Sequence, residues 1–307
     1  MNPVSDSDLH SVRLSGLGHG VVTYALFPLN FFGALVFASV GLSQDWSPGL
    51  ILVSVTLFTM GVVAIIERIH PEYPAWNQSR GDVGVDAIHG LVSMVALPKL
   101  LELALHTSLL VVATRLAQQT GSELWPHAWP LVAQLIVAML ISQFGEYWIH
   151  RLSHTTPLLW RLHATHHSPH RLYFFNAGRF HPLDTAIGYG LGIVPLLVLG
   201  AGPEVFVLHS TWIGVHGLYQ HCNIHLRLGP LNYVFSMAEL HRWHHSLILE
   251  EANRNYGNNL ILYDLLFGTF FHPSDRDASE SVGLADMPDF PQDYLGQLAS
   301  PLRWPGG

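Results

Sequence analysis

Residues 131–170 read LVAQLIVAMLISQFGEYWIHRLSHTTPLLWRLHATHHSPH. The first part, residues 131–149, is almost entirely apolar and is about the length that crosses a bilayer as one helix. Five histidines follow within eighteen residues: His150, His154, His163, His166 and His167. Because residues three or four apart lie on one face of a helix, each short group can direct its imidazoles to a common point. The stretch therefore predicts a membrane helix that ends in a set of metal ligands.

The remaining histidines extend this pattern. Fourteen of the 21 histidines fall between residues 150 and 245. A lone candidate, His221, lies in QHCNIH, which also contains His225, and a last box contains His241, His244 and His245. Imidazole suits iron, copper, zinc and nickel. The set is too large for one metal ion and about large enough for two, so the sequence predicts a two-metal site.

The composition indicates an integral membrane protein. Charged residues make up 12% of the chain, against roughly 25% in soluble globular proteins, and the mean hydropathy is +0.29. Four apolar blocks approach the length of a membrane helix. They are residues 21–42, 50–66, 88–112 and 131–149. We therefore expect an all-α fold with about four transmembrane helices and a cytoplasmic, helical histidine-box metal domain.

A weaker apolar pair follows at residues 185–199 and 205–219. Both segments are short and glycine-rich, and Pro195 and Pro203 interrupt them. The pattern favours a re-entrant hairpin or a membrane-embedded flank of the site over two full spans. Any non-helical backbone at that depth has to be buried in protein.

Three regions follow along the chain. Residues 1–149 are expected to form a transmembrane helical region, and residues 150–272 a histidine-box di-metal region with a membrane-embedded segment at 185–219. Residues 273–307 are polar, contain five prolines and predict a loosely packed cytoplasmic tail. The chain links near residues 45–48 and 121–130 contain almost no basic residues, whereas arginines are frequent beside the boxes. This asymmetry places the boxes in the cytoplasm, which for a bacterial cell means the inner membrane.

Several other functions are disfavoured. A net charge of −8 provides no basic face for nucleic acid. The single Cys222 excludes an internal disulfide and is expected to be a small buried filler. Among the histidines outside the boxes, His70 is expected to be solvated in a loop, and His209 and His216 to be buried with hydrogen-bond partners.

Other metal proteins remain as alternatives. A haem-binding membrane electron carrier would need axial histidines paired across two spans, but the histidines cluster at one interface. A metal transporter would need polar ligands at mid-membrane, where these spans have few. A zinc hydrolase would need a general base, and neither Glu146 nor Glu239 lies in an H-E-x-x-H motif.

Six motifs within residues 143–272 carry a resemblance to a known family. In chain order they are EYWIHRLSH, WRLHATHHSPH, RFHPLD, QHCNIHLRLGPL, ELHRWHHS and NRNYGNNLILYDLLFGTFF. With these motifs the chain resembles the fatty acid hydroxylase superfamily, which includes sterol desaturases and alkylglycerol monooxygenase. One departure is Tyr263-Asp264, where relatives commonly have Trp-Asp.

The resemblance implies a non-haem di-iron centre whose iron can be replaced by zinc on purification. The implied ligands are His150, His154, His163, His166, His167, His221, His241, His244 and His245, with His181 as a further candidate. His221 is preferred to His225 because its spacing to Leu228 matches that of relatives. Four carboxylates are candidates to orient ligands, with plain helix-surface positions as the alternative: Glu146, Asp184, Glu239 and Asp264.

The resemblance also implies the reaction. Members use O2 and two electrons to oxidise an unactivated C–H bond of a lipid, such as a fatty acyl, sterol or ether lipid. Hydroxylation is preferred here, and desaturation on the same centre is the alternative. Because the chain has no G-x-G-x-x-G pattern, NAD(P)H is expected to act through a separate reductase, ferredoxin or cytochrome b5 type partner.

Overall fold

Long apolar helices organise the protein, for which a computed structural model describes residues 14–121 and 123–304, apart from the side chain of His106. Residues 1–13 of the predicted transmembrane region and residues 305–307 of the predicted tail lie outside the described residues. The first four helices are α1 (Gly16–Ser43), α2 (Pro48–Ile69), α3 (residues 83–120) and α4 (Leu131–Thr155). Two of them contain π-helical turns, at Val21–Ala25 and Gly90–Ala96.

Shorter helices build the second half. They are α5 (Pro157–His167), α6 (Pro182–Gly192), α7 (Val194–Leu199), α8 (Pro203–Gln220), α9 (Ala238–His244), α10 (Leu249–Ala252), α11 (Leu262–Phe267) and α12 (Tyr294–Ala299). Three 3-10 turns connect other parts, at Pro74–Asn77, Phe174–Gly178 and Gly229–Tyr233. The described residues contain three isolated β-bridges and no strand.

The prediction of an all-α membrane protein is confirmed. Five helical segments are long and apolar enough to cross a membrane: Gly16–Ser43, Pro48–Ile69, Val83–Leu105, Leu131–Thr155 and Pro182–Leu199. Their outward side chains are apolar, as at Leu57 and Leu103, which are 64% and 67% exposed. Apolar surface of this extent is suited to lipid and not to water. The count exceeds the expected four because the first arm of the weaker apolar pair also qualifies.

The weaker pair folds as a helical hairpin with unequal surroundings. Pro195 lies in the first turn of α7, and Gly200, at φ 84°, ends that helix before Pro203 begins α8. Helices α6 and α7 pack on α3 and α4, whereas α8 packs among α1, α2 and α4. Much of α8 is therefore enclosed by protein, which explains how a helix containing two histidines fits in an apolar region.

Parts of the predicted tail, within residues 273–304, are anchored against the rest of the chain, although many of its side chains are exposed. The indole Nε1 of Trp76 donates to the carbonyl oxygen of Glu280 at 3.1 Å, and Val282 is buried beside it. The side chain of Gln297 is fully buried, and its Oε1 lies 2.8 Å from Nε2 of His89. A few specific anchors hold a segment whose overall composition is polar.

His70 also differs from the expectation of a solvated loop residue. Its side chain is fully buried, its Nδ1 accepts from the backbone N–H of Leu14 at 3.2 Å, and its Nε2 lies 3.0 Å from Oγ1 of Thr23. The adjacent Pro71 forms a β-bridge with Ile224. This pairing holds the loop against the segment around Ile224, and the side chain of His70 is buried.

Close packing between α4 and α6 generates a stability prediction. A Cβ at Gly145 would run into the backbone carbonyl oxygen of Leu191, whereas a Cβ at Gly190 would meet no atom within 4 Å. Because backbone cannot move as a side-chain tip can, Gly145→Ala should cost about 1–3 kcal/mol of unfolding free energy. Thermal unfolding of the purified protein in detergent measures the effect, with Gly190→Ala as the matched control. Equal midpoints for the two variants would show that the helices are not in close contact.

Candidate metal centre

Nine buried or half-buried histidines converge in two adjacent groups. The five-histidine group contains His150, His154, His163, His167 and His244. The four-histidine group contains His166, His221, His241 and His245. Within each group the candidate ligand atoms all lie within 4.8 Å of one another. All nine residues expected from the sequence are therefore brought together, and they divide into sets suited to two cations.

Helix geometry explains this division. His150 and His154 lie one turn apart at the end of α4, and both face the five-histidine group. In α5, His163 and His167 face that same group, whereas His166 faces the other. Positions i and i+4 share a direction along a helix, and position i+3 is displaced around the axis. Each H-x-x-H-H box consequently contributes to both groups.

The last box divides in the opposite sense. On and just after α9, His244 faces the five-histidine group, and His241 and His245 face the four-histidine group. The two groups touch, since the rings of His167 and His245 stack with centroids 4.3 Å apart. His221, immediately after α8, completes the four-histidine group.

Unpartnered nitrogen atoms show that the five-histidine group fits a cation. The Nε2 atoms of all five rings are buried and have no hydrogen-bond partner among the described residues. Four of these rings have Nδ1 within 3.2 Å of an oxygen acceptor, so Nδ1 carries the proton and Nε2 is a lone pair. Buried lone pairs without a donor cost free energy. A transition-metal ion at their centre removes that cost.

Short distances between ring nitrogens indicate that the four-histidine group also fits a cation. Nε2 of His221 lies 3.3 Å from Nε2 of His166 and 3.0 Å from Nε2 of His241. Because His166 and His221 have their Nδ1 atoms against oxygen acceptors, their Nε2 lone pairs face each other. This arrangement is repulsive between neutral rings and favourable around a shared cation.

The surroundings favour the neutral form, which is the ligating form, of six of these imidazoles. Burial lowers the pKa well below the usual histidine value for His166, His167, His241, His244 and His245. For His221, burial and then the charge of Arg179 lower the pKa to about 3. Neutral rings in a buried site are prepared to bind a metal ion without first losing protons.

Fixed acceptors orient six of the nine rings. The Nδ1 atoms and their acceptors are His150 with Tyr256 O at 2.7 Å, His154 with Asn253 Oδ1 at 3.2 Å, His163 with Asp184 Oδ2 at 2.8 Å, His166 with Arg179 O at 3.3 Å, His221 with Asn176 Oδ1 at 3.0 Å, and His244 with Arg254 O at 2.8 Å. Such contacts set the tautomer and direction of a metal-binding histidine.

The four candidate carboxylates have different positions. Asp184 contacts His163 directly, and Asp264 accepts from the backbone N–H groups of Tyr256 and Gly257, fixing the loop whose carbonyl orients His150. Glu239 instead accepts from the backbone N–H of Leu228. Glu146 accepts from Gln143 and Asn258. The last two therefore bind to the surrounding fold, and the described residues show no hydrogen bond from either to one of the nine rings.

His181 does not join either group, so the structure gives no support for it as a ligand. Its Nδ1 accepts from the backbone N–H of Leu183 as the N-cap of α6, and its Nε2 lies 3.2 Å from the carbonyl oxygen of Leu298. Both ring nitrogens are thus engaged away from the site. The position of His181 before Pro-Leu-Asp suggested a ligand, but the residue is the N-cap of a helix.

The neighbouring histidines, His209, His216 and His225, belong to neither group. His225 pairs with Glu72 through Nδ1 at 2.6 Å, which agrees with the preference for His221. His209 has Nε2 against Ser142 Oγ at 2.9 Å. His216 is buried, but the expectation that it has hydrogen-bond partners is wrong, because neither ring nitrogen has one among the described residues. Cys222 is buried, as expected, and burial raises the pKa of its thiol to about 12.

Several orienting groups were missed from sequence. Asn176 and Asn253 contact ligands through their side chains, and three further acceptors are backbone carbonyls. The concentration of asparagines in NRNYGNN, just after the last box, was the available signal for one of them. Because every residue has a backbone carbonyl, residue types do not indicate which carbonyl will accept a hydrogen bond from a ligand.

Comparisons with known proteins agree with this geometry. The family described as fatty acid hydroxylase matches residues 135–269, which contain all nine converging histidines. The ornithine lipid hydroxylase OlsE of Rhizobium tropici is 39% identical over 255 residues, covering 82% of this chain and 76% of the relative. No solved structure matches the chain.

More distant relatives match about half of this chain. Human alkylglycerol monooxygenase is 30% identical over 146 residues, covering 48% of this chain and 32% of that protein. The very-long-chain aldehyde decarbonylase GL1-8 of Oryza sativa subsp. indica is 29% identical over 167 residues, covering 52% of this chain and 59% of the relative. Shared family, helical membrane fold and convergent histidines lead to one conclusion: the chain belongs to the fatty acid hydroxylase family.

Proposed function

We propose that this protein is a membrane-bound di-iron oxygenase that uses O2 and two electrons to hydroxylate an unactivated C–H bond of a lipid. The observation that carries the proposal is the convergence of nine imidazoles in two touching groups, with five Nε2 atoms lacking a partner among the described residues. An all-imidazole shell suits iron, and two adjacent ions match the multi-electron demand of O2 reduction.

The relatives support lipid as the substrate and hydroxylation as the reaction. Two of them are named as an ornithine lipid hydroxylase and an alkylglycerol monooxygenase. The site also begins where α4, one of the candidate membrane helices, ends with His150 and His154. A lipid whose chain stays in the bilayer can reach a site at that level without full extraction into water.

The chain's own residues position and protect the centre. The five-histidine group and the four-histidine group would each hold one iron ion. Bound iron supplies the redox chemistry that O2-dependent attack on a C–H bond requires. Asp184, Asn176 and Asn253 hold ligand rings in one tautomer and direction. Burial of the rings excludes water, which limits side reactions of a strong oxidant.

Further parts of the proposal concern the cellular setting. The site faces the cytoplasm from the inner membrane of a bacterial cell, as the arginine distribution favours. Electrons come from NAD(P)H through a separate reductase, ferredoxin or cytochrome b5 type protein, because this chain has no dinucleotide-binding motif. His181 is not included among the proposed ligands.

The first prediction concerns metal content. The purified chain should hold about two transition-metal ions, and His244→Ala and His241→Ala should each lose metal because each removes a ligand from a different group. Elemental mass spectrometry of the protein measures the count, which is more informative than metal identity because zinc can replace iron on purification. His127→Ala changes an exposed histidine outside both groups and should keep the full complement. Equal metal content in all four proteins would remove the basis of the two-metal proposal.

The second prediction concerns the reaction. Lipid extracts of cells expressing the wild-type chain, with iron and a reductase supplied, should contain a species heavier by one oxygen than the extracts of cells expressing His244→Ala. Mass spectrometry distinguishes this gain from a loss of two hydrogens, which would identify a desaturase. Identical profiles would contradict both reactions.

The third prediction concerns ligand orientation. Asp184→Asn keeps the shape of the side chain but removes the carboxylate that accepts from His163, and such changes typically lower metal affinity or activity 10–100-fold. Chelator competition during elemental analysis measures the affinity, and lipid hydroxylation measures the activity. Asp286→Asn, at an exposed position, provides the matched control. Unchanged affinity and activity in Asp184→Asn would exclude an orienting role.

A further inference from the structure

A short segment that follows the histidine boxes runs alongside a membrane helix. It comprises residues 258–267 and ends with the six-residue helix α11. The hydroxyl of Tyr263, on α11, donates to the carbonyl oxygen of Leu140 at 2.6 Å. Leu140 lies in the apolar part of α4, ten residues before His150. That separation is about 15 Å along a helix, or half of a hydrocarbon core roughly 30 Å thick. The segment therefore reaches a level well inside the candidate membrane span.

Polar contacts hold the segment at this level. The backbone N–H of Asn259 donates to Oε1 of Gln143 at 2.8 Å, and Nδ2 of Asn258 donates to Oε2 of Glu146 at 3.2 Å. Gln143 and Glu146 belong to α4, a candidate membrane helix, where polar side chains are costly unless they have partners. Their partners lie in the 258–267 segment, which explains why α4 contains them.

Apolar contacts place the segment against the same helix. The ring of Tyr263 packs on Phe144 with centroids 5.4 Å apart, and Phe267 packs on Trp148 with centroids 5.0 Å apart. At the other end of the segment, Leu260 joins a cluster of buried apolar residues from α1, α2, α4 and α8. Three of these, α1, α2 and α4, are candidate membrane helices. The segment is thus packed into the side of the helical bundle.

Hydrogen bonds within the protein occupy backbone groups beside and within the segment. The carboxylate of Asp264 accepts from the backbone N–H groups of Tyr256 and Gly257, and the backbone N–H of Ile261 donates to the carbonyl oxygen of Val234. Non-helical backbone is tolerated at membrane depth only where the protein itself satisfies its polar groups. These contacts meet that requirement for the irregular part of the chain that precedes α11.

The outer face of α11 is apolar and exposed. Three consecutive side chains, Leu265, Leu266 and Phe267, are 39%, 64% and 40% exposed. Their surface continues that of Phe144 on α4, which is 48% exposed and contacts α11 through Tyr263. Contiguous apolar surface of this kind is unfavourable in water. Because it extends the lipid-facing surface of a candidate membrane helix, lipid acyl chains are the partner that fits it.

We propose that residues 258–267 form a re-entrant segment that enters the bilayer from the side of the metal centre, and that Leu265, Leu266 and Phe267 pack against lipid acyl chains. The segment also connects the acyl region with the metal centre, because Asp264 fixes the loop whose carbonyl oxygen accepts from Nδ1 of His150. The placement holds whether or not the protein hydroxylates lipids.

The test compares quenching of a fluorophore from the lipid and from the water. The full chain with Leu266→Cys carries a bimane label in nanodiscs of phosphatidylcholine with or without brominated acyl chains, and iodide is the aqueous quencher. The native thiol of Cys222 is buried and should not be labelled. Leu57→Cys, at a side chain of α2 that is also 64% exposed, provides the membrane control. Asp286→Cys, at an exposed position, provides the water control.

The label at position 266 should lose fluorescence in brominated nanodiscs as the label at position 57 does, and iodide should quench it far less than the label at position 286. Leu265→Cys repeats the measurement on the same face. Quenching by iodide as strong as at position 286, without quenching by bromine, would place α11 in water and overturn the proposal. Protection from both quenchers would mean that protein, such as a second copy of the chain, covers this face, and would also contradict it.

Discussion

The structure depends on directing nine imidazole rings toward one another in a buried region. Neutral rings at such distances repel through their Nε2 atoms unless a cation lies between them. Residues around the site fix the tautomers of six rings, because carbonyl, carboxamide and carboxylate oxygens accept a hydrogen bond from the Nδ1 atom of each. Loops that supply these oxygens are therefore as important to the site as the helices that carry the histidines.

The membrane helices and the histidine site form one mechanical unit. Helix α4 continues from its apolar segment into the turn that contains His150 and His154 without a break. The depth of the helix in the bilayer consequently determines the depth of the site. Helix α8 adds a second connection, since it packs among α1, α2 and α4 and ends next to His221. This arrangement gives a lipid-modifying site a defined level relative to its substrate.

Much of this could be predicted from the sequence, for identifiable physical reasons. Helical spacing within the three boxes predicted converging histidines, and the length of the apolar blocks predicted the membrane helices. The full set of nine, with His221, came from the family resemblance. His181 was misleading because the sequence alone does not distinguish a histidine that caps a helix from one that binds a metal. The anchors of the tail between residues 273 and 304 could not be predicted because its polar composition conceals a few specific contacts, such as Gln297 with His89. Backbone acceptors such as the carbonyl oxygen of Arg179 depend on the tertiary fold, so they could not be predicted from the sequence.

The division of each H-x-x-H-H box between the two groups has a consequence for assembly. Helix α5 contributes two rings to one group and one ring to the other, and the last box does the reverse. Neither cation position can be built without the backbone that builds its neighbour. An ion bound at either position would contact rings from both segments, so the two positions are coupled through shared secondary structure.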